Sequence, residues 1–160
     1  MASTLKKAPL EVSIIETYSL NGRDHVVKSS TIYEDIRETS SKIITCAAGS
    51  DSGTSILDIS GDYTKADIRY IRITNLDDGQ TSNFNGTVQM RVFRQPVNGP
   101  VQIYSVWLTA GSSFIITDVI TSDTVPAGNA ERIGWIEIQN DTDVDANAID
   151  VDVEVFVASV

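Results

Sequence analysis

Histidine and cysteine occur once each in these 160 residues, and that scarcity removes most catalytic chemistry before any pattern is read. A Ser-His-Asp or Cys-His arrangement would have to use His25, which follows a hairpin turn, and a base there still needs a positioned nucleophile. A non-enzymatic protein is the expectation. The lone thiol, Cys46, sits in Ile43-Ile44-Thr45-Cys46-Ala47-Ala48, so intramolecular disulfides are excluded and a small buried hydrophobe is expected. No window reaches the ~18 apolar residues of a membrane span, and Met1 to Pro9 has two lysines with no apolar run behind them, so neither a span nor a secretory signal is read. Synthesis in a cytoplasm is expected. Basic residues are few as well, 12 against 22 acidic ones, and the net charge of −10 repels phosphate backbones and anionic lipid. Nucleic acid and membrane partners are not expected. The chain shows no convincing amphipathic helix, no fixed-period repeat and no low-complexity tract.

What is present is a series of short β-type segments separated by turn formers. Asp67 to Gly79 is the densest: Ile68-Arg69-Tyr70-Ile71-Arg72-Ile73-Thr74 stops at Asn75-Leu76-Asp77-Asp78-Gly79. Ile71 and Ile73 share one face and Ile68 and Tyr70 the other, so this strand is expected in mid-sheet, covered on both sides. Upstream, Leu10 to Leu20 turns at Asn21-Gly22 into a strand around His25 to Tyr33, an antiparallel pair with the strongest hairpin signal in the chain. Residues 34 to 41 read as one helical turn or a loop. Further strands are expected at 42–47, 54–59, 87–94, 101–108, 114–120 and 132–139. The last, Ala148 to Val160, alternates most cleanly, with Ile149, Val151, Val153, Val155 and Val157 on one face and Asp150, Asp152 and Glu154 on the other. The fold class is therefore all-β: an antiparallel β-sandwich, jelly-roll or immunoglobulin-like, of about nine or ten strands. Residues 1–9 read as a flexible N-terminal arm and 10–160 as one sandwich domain.

Four features could carry chemistry. Asp141, Asp143, Asp145, Asn147 and Asp152 fall at positions 1, 3, 5, 7 and 12 of a calcium-loop window, where alternate oxygens can converge on one hard cation. Ala146 replaces the glycine of the sharp turn and the flanks are strands, so the competing reading is an acidic hairpin loop that keeps a sheet edge from pairing. Ser50-Asp51-Ser52-Gly53 lacks the flanking glycines of a serine-protease loop and is read as a plain loop. Asn85-Gly86-Thr87 and Asn140-Asp141-Thr142 match the glycosylation sequon and mark loop positions. Tyr70, Tyr104, Trp107, Phe114 and Trp135 would line a sugar-binding face if two or three were exposed on one sheet, and are core otherwise.

The run Asp67 to Asp77, then Leu108-Thr109-Ala110-Gly111-Ser112-Ser113-Phe114-Ile115-Ile116, then Arg132 to Asn140 leading to the C-terminal strand, resembles β-rich virion structural proteins of tailed phages that infect marine cyanobacteria. The resemblance covers roughly residues 54 to 160. It implies a virion-attached protein, a capsid decoration or appendage protein bound to a phage capsid or tail protein. A homo-oligomer, three copies about a local axis, is expected, with the N-terminal arm and its Lys6 and Lys7 contacting the shell or an adjacent protomer. The alternative is a carbohydrate- or receptor-binding sandwich module of a tail or fibre.

Overall fold

A computed structural model describes residues 6–49, 52–58, 68–78, 86–95, 100–117, 132–140 and 149–160. Among them are ten strands and no helix: β1 (Ala8–Leu20), β2 (Arg23–Ile36), β3 (Glu38–Cys46), β4 (Thr54–Asp58), β5 (Ile68–Asn75), β6 (Val88–Gln95), β7 (Gln102–Leu108), β8 (Ser113–Thr117), β9 (Arg132–Gln139) and β10 (Val151–Ser159). β1 and β2 form a separate hairpin. The other eight make two antiparallel four-stranded sheets, ordered β3-β10-β5-β8 and β4-β9-β6-β7. Only the β6 to β7 link stays within a sheet; every other link from β3 to β10 crosses between them. That is the strand order of a jelly roll, and an immunoglobulin sandwich does not share it.

The two inner faces close on one apolar core. Ile71 and Ile73 of β5, Val151, Val153, Val155 and Val157 of β10, and Cys46 of β3 meet Ile56 and Leu57 of β4, Val88, Met90 and Val92 of β6, Leu108 of β7, and Ile136 and Ile138 of β9. Strict period-two alternation on β6 and β10 puts their valines inward and Gln89, Arg91, Asp152 and Glu154 outward.

β5 is central, flanked by β10 and β8, and is covered on both sides. One detail differs from simple alternation. Ile68 joins the inner core although it shares parity with Tyr70, because the β10 register steps from Ala158↔Tyr70 to Ser159↔Ile68. The residue between them, Arg69, is a bulge, and a bulge re-aims the side chains beyond it. Tyr70 instead points out of the sandwich.

Residues 34 to 41 form neither a helical turn nor a loop. Glu34 to Ile36 complete β2 and Glu38 opens β3 at once. Asp35 adopts φ 64° where the β1–β2 register steps from Leu10↔Tyr33 to Ala8↔Ile36, so two residues face Pro9 alone. Proline has no amide hydrogen to pair, which suits it to that bulge. β1 consequently begins at Ala8, before the expected Leu10.

Candidate functional site

The hairpin is the feature for which the sandwich itself has no use. Asn21 (φ 54°) and Gly22 (φ 73°) both take the left-handed conformation that a two-residue type I′ turn requires, and strand pairing then runs without a break from Leu20↔Arg23 to Leu10↔Tyr33. Every residue from 13 to 32 is exposed. Eight residue pairs, Ser13↔Ser30 to Leu20↔Arg23, at ~3.4 Å each carry the ribbon roughly 27 Å beyond its anchored base. The exposed part is nonetheless apolar: Ile14, Ile15, Tyr18, Leu20, Val26, Val27 and Ile32 are between 46 and 67% accessible.

Register assigns these residues to faces. Ile14, Glu16, Tyr18 and Leu20 share one face with Ser29, Val27, His25 and Arg23, whereas Ile15, Thr17 and Ser19 share the other with Lys28, Val26, Asp24 and Ile32. Tyr18 and His25, a cross-strand pair, stack with ring centroids 5.0 Å apart. The sole histidine thus sits on an exposed ribbon near its tip.

The base is anchored by the same face. Leu10, Val12, Tyr33 and Ile36 pack on Tyr70, Ile115, Phe156 and Ala158, which lie on the outer face of the β3-β10-β5-β8 sheet. Tyr70 is the hub, 5.7 Å from the Tyr33 ring and 6.0 Å from the Phe156 ring. Burial raises its phenol above the ordinary tyrosine value, against the pull of Arg72. Arg72 bonds Glu154 at 2.7 Å and lies over the Phe156 ring. A cleft of about 280 Å³ remains between ribbon and sheet, lined by Leu10 to Ser13, Tyr70, Arg72 and Phe156.

On the outer face of the other sheet, Phe93 and Trp135 stack at 4.5 Å. Beside them Arg91 bonds Glu137 at 3.0 Å, and the indole of Trp135 donates to the same carboxylate. Trp107 and Tyr104 on β7 are both about half accessible, but Trp107 lies opposite Gln89 and Tyr104 opposite Val92, so they point to opposite faces. Tyr70 is buried.

Of the calcium window, Asp141, Asp143, Asp145 and Asn147 lie outside the described residues. Asp152 is on β10, where its carboxylate accepts a hydrogen bond from Thr45 Oγ1 at 2.6 Å. Among the described residues no three His, Cys, Asp or Glu side chains gather as a metal site would need. Lys7 pairs with Asp35 at 3.1 Å at the foot of the hairpin, and Lys6 is exposed. Cys46 is buried, and burial followed by the nearby Asp152 charge pushes its thiol up to about 11.

Two asparagines carry structure that their local sequence does not announce. Asn75, fully buried at the end of β5, donates its side-chain amide to Gly86 O (2.6 Å) and Leu108 O (3.0 Å) and accepts from Asp77 N (3.0 Å). Asn140, read in the sequence as a loop position, does follow the end of β9 but is 1% accessible, and it donates to Cys46 O and Ile149 O. Both tie one sheet to the other at the end where β10 begins. The hairpin leaves from the opposite end. Each asparagine reads as a turn former in sequence, because nothing local shows that distant carbonyls converge on it.

No protein-family model matches the chain, and no curated protein or solved structure is significantly similar to it.

Proposed function

We propose that the protein is a non-enzymatic structural component of a phage particle, an oligomeric capsid decoration protein made in the host cytoplasm and attached to the shell. The observation that carries this reading is the twenty-residue ribbon, exposed throughout and apolar on both faces, standing on a closed jelly roll. An isolated two-stranded hairpin is marginal in water, and exposed apolar surface of this extent marks a contact with another protein. The ribbon is the assembly element, and the N-terminal residues with Lys6 and Lys7 touch the shell. The acidic charge keeps free copies dispersed. Quantitative mass spectrometry of gradient-purified particles of the encoding phage tests this: the chain is expected in fixed ratio to the shell subunit, and its restriction to the unassembled lysate would overturn the reading.

A second reading, a carbohydrate- or receptor-binding module, is favoured by the exposure of Trp107 on the sheet face that also holds the half-buried Trp135. Its test is quenching of tryptophan fluorescence by host-surface glycans. A response abolished by Trp107→Ala would support it.

A further inference from the structure

We infer that the ribbon's partner is the ribbon of further copies of this chain, three of them packed in parallel about a three-fold axis with the first face of each against the second face of the next. The inference rests on the assembly role proposed above and names the occupant of that surface.

Two observations lead to it. The first is that both faces are apolar. Ile14, Tyr18, Leu20 and Val27 lie on one, Ile15, Val26 and Ile32 on the other. A two-fold pair would cover one face and leave the other in water, whereas in a closed ring every ribbon has two neighbours and both faces are covered.

The second is charge. The exposed ribbon contains Glu16, Arg23, Asp24 and Lys28, which cancel, so the whole −10 of the chain resides elsewhere. Ribbons can approach without the repulsion that separates the bodies. Each face also carries one acid and one base, Glu16 and Arg23 on the first, Asp24 and Lys28 on the second. Along the ribbon, Arg23 is in the Leu20 row and Asp24 in the next, the Ser19 row; Glu16 is in the Val27 row and Lys28 in the next, the Ile15 row. Laid in parallel, first face to second face, each cation is offset from an acid of its neighbour by one row, about 3.4 Å along the ribbon, a step that the long side chains span. Within one chain the members of each pair lie on opposite faces and do not meet. The complementarity is therefore between copies.

The test is the molar mass of the full chain by light scattering at tens of micromolar protein and low salt, with Glu16→Lys, Lys28→Glu and the double variant. Wild type is expected at three times the 17.4 kDa chain mass. Each single reversal acts in all three interfaces and is expected to weaken association at least tenfold, on the scale of one ion pair per interface. The double variant restores the pair between copies and is expected to restore the trimer. Ile43→Asp, at an exposed apolar site on the sandwich, is expected to leave the mass unchanged. Circular dichroism and a cooperative melt accompany each variant, so that a misfolded protein is not counted as a dissociated one. A monomeric wild type, a dimer broken by Glu16→Lys but not by Lys28→Glu, or a double variant no better than the singles would overturn the inference. Any of these is compatible with the chain being found in particles, so the two ideas fail separately.

Discussion

Replacing Asn75 by Ala removes three side-chain hydrogen bonds at one stroke, and the structure says what each was holding. The side-chain amide of Asn75 donates to Gly86 O and Leu108 O, while its oxygen accepts from Asp77 N. The main chain of the same residue bonds Ser112 O and Gly111 N in the β7–β8 turn. One fully buried residue thus connects the ends of β5 and β7 with the approach to β6. A net hydrogen bond is worth about 1 kcal/mol, and a buried carbonyl left without a donor costs about 1–3 kcal/mol. With two such carbonyls the loss comes to about 3–5 kcal/mol, a large part of the ~5–15 kcal/mol that holds a domain folded. For a chain of this length each kcal/mol lowers Tm by about 2–4 °C, so a drop on the order of 10 °C is expected.

Asn75→Asp sharpens the experiment. Aspartate has nearly the same shape and keeps the acceptor for Asp77 N, but it puts an oxygen where Gly86 O and Leu108 O require a donor. At pH 7 it also buries a charge against two carbonyl dipoles, so it should destabilise more than Ala does. The assay is urea unfolding followed by tryptophan fluorescence, comparing both variants with wild type. An Asn75→Ala loss below about 1 kcal/mol, against the 3–5 expected here, or an Asn75→Asp protein at least as stable as Asn75→Ala, would refute the account of the clamp.

Three further outcomes follow from the same geometry. Gly86→Ala is expected to lose at least about 2 kcal/mol on thermal melting, because Gly86 has φ 49° and its added Cβ would fall on the Asp77 carboxylate. Tyr70→Ala removes the ring on which the ribbon base rests; about 3–4 kcal/mol of stability and a marked rise in tryptic cleavage after Arg23 and Lys28 are expected, read by denaturation and timed digestion. Cys46 should resist thiol reagents in the native protein. Its folded pKa, about 11, lies above the ordinary 9.0, so the unfolded chain gives up its proton first; the contribution is complete below pH 9 and should be lost as pH rises from 9 to 11, a fall of about 2–3 kcal/mol that Cys46→Ala would not show.

Much of the fold was legible because it rests on local rules. Asn21-Gly22 fixes its turn through backbone conformation alone, and the valines of β10 and β6 fix their inward face through period two. Where a local rule met a bulge it failed: Ile68 follows parity to the wrong face, and residues 34 to 41, polar and without a repeat, conceal a strand end and a strand start. The order of the strands was not legible at all. The alternation that makes β5 a strand is equally satisfied in a jelly roll and an immunoglobulin sandwich, and only pairing across more than eighty residues, such as Phe156 with Arg72, separates them.

The ribbon shows the limit of pattern reading most clearly. Leu10-Glu11-Val12-Ser13-Ile14 alternates as any half-buried strand does, and it continues through Ile15 to Leu20 with no change in composition where the body ends. Leu10 and Val12 rest on Tyr70 and Phe156, while Ile14, Tyr18 and Leu20 on the same face stay exposed, Tyr18 meeting only the ribbon's own His25 among the described rings. Periodicity states which residues share a face; it carries no information about what lies beneath that face. A sequence selected to bury the stripe within its own sandwich would have no reason to keep it apolar from Ile14 outward, since surface positions there would tolerate polar residues at no cost in burial. That the stripe persists to the turn, and that its four charges cancel while the rest of the chain carries the net −10, is what the proposed contact between ribbons would require.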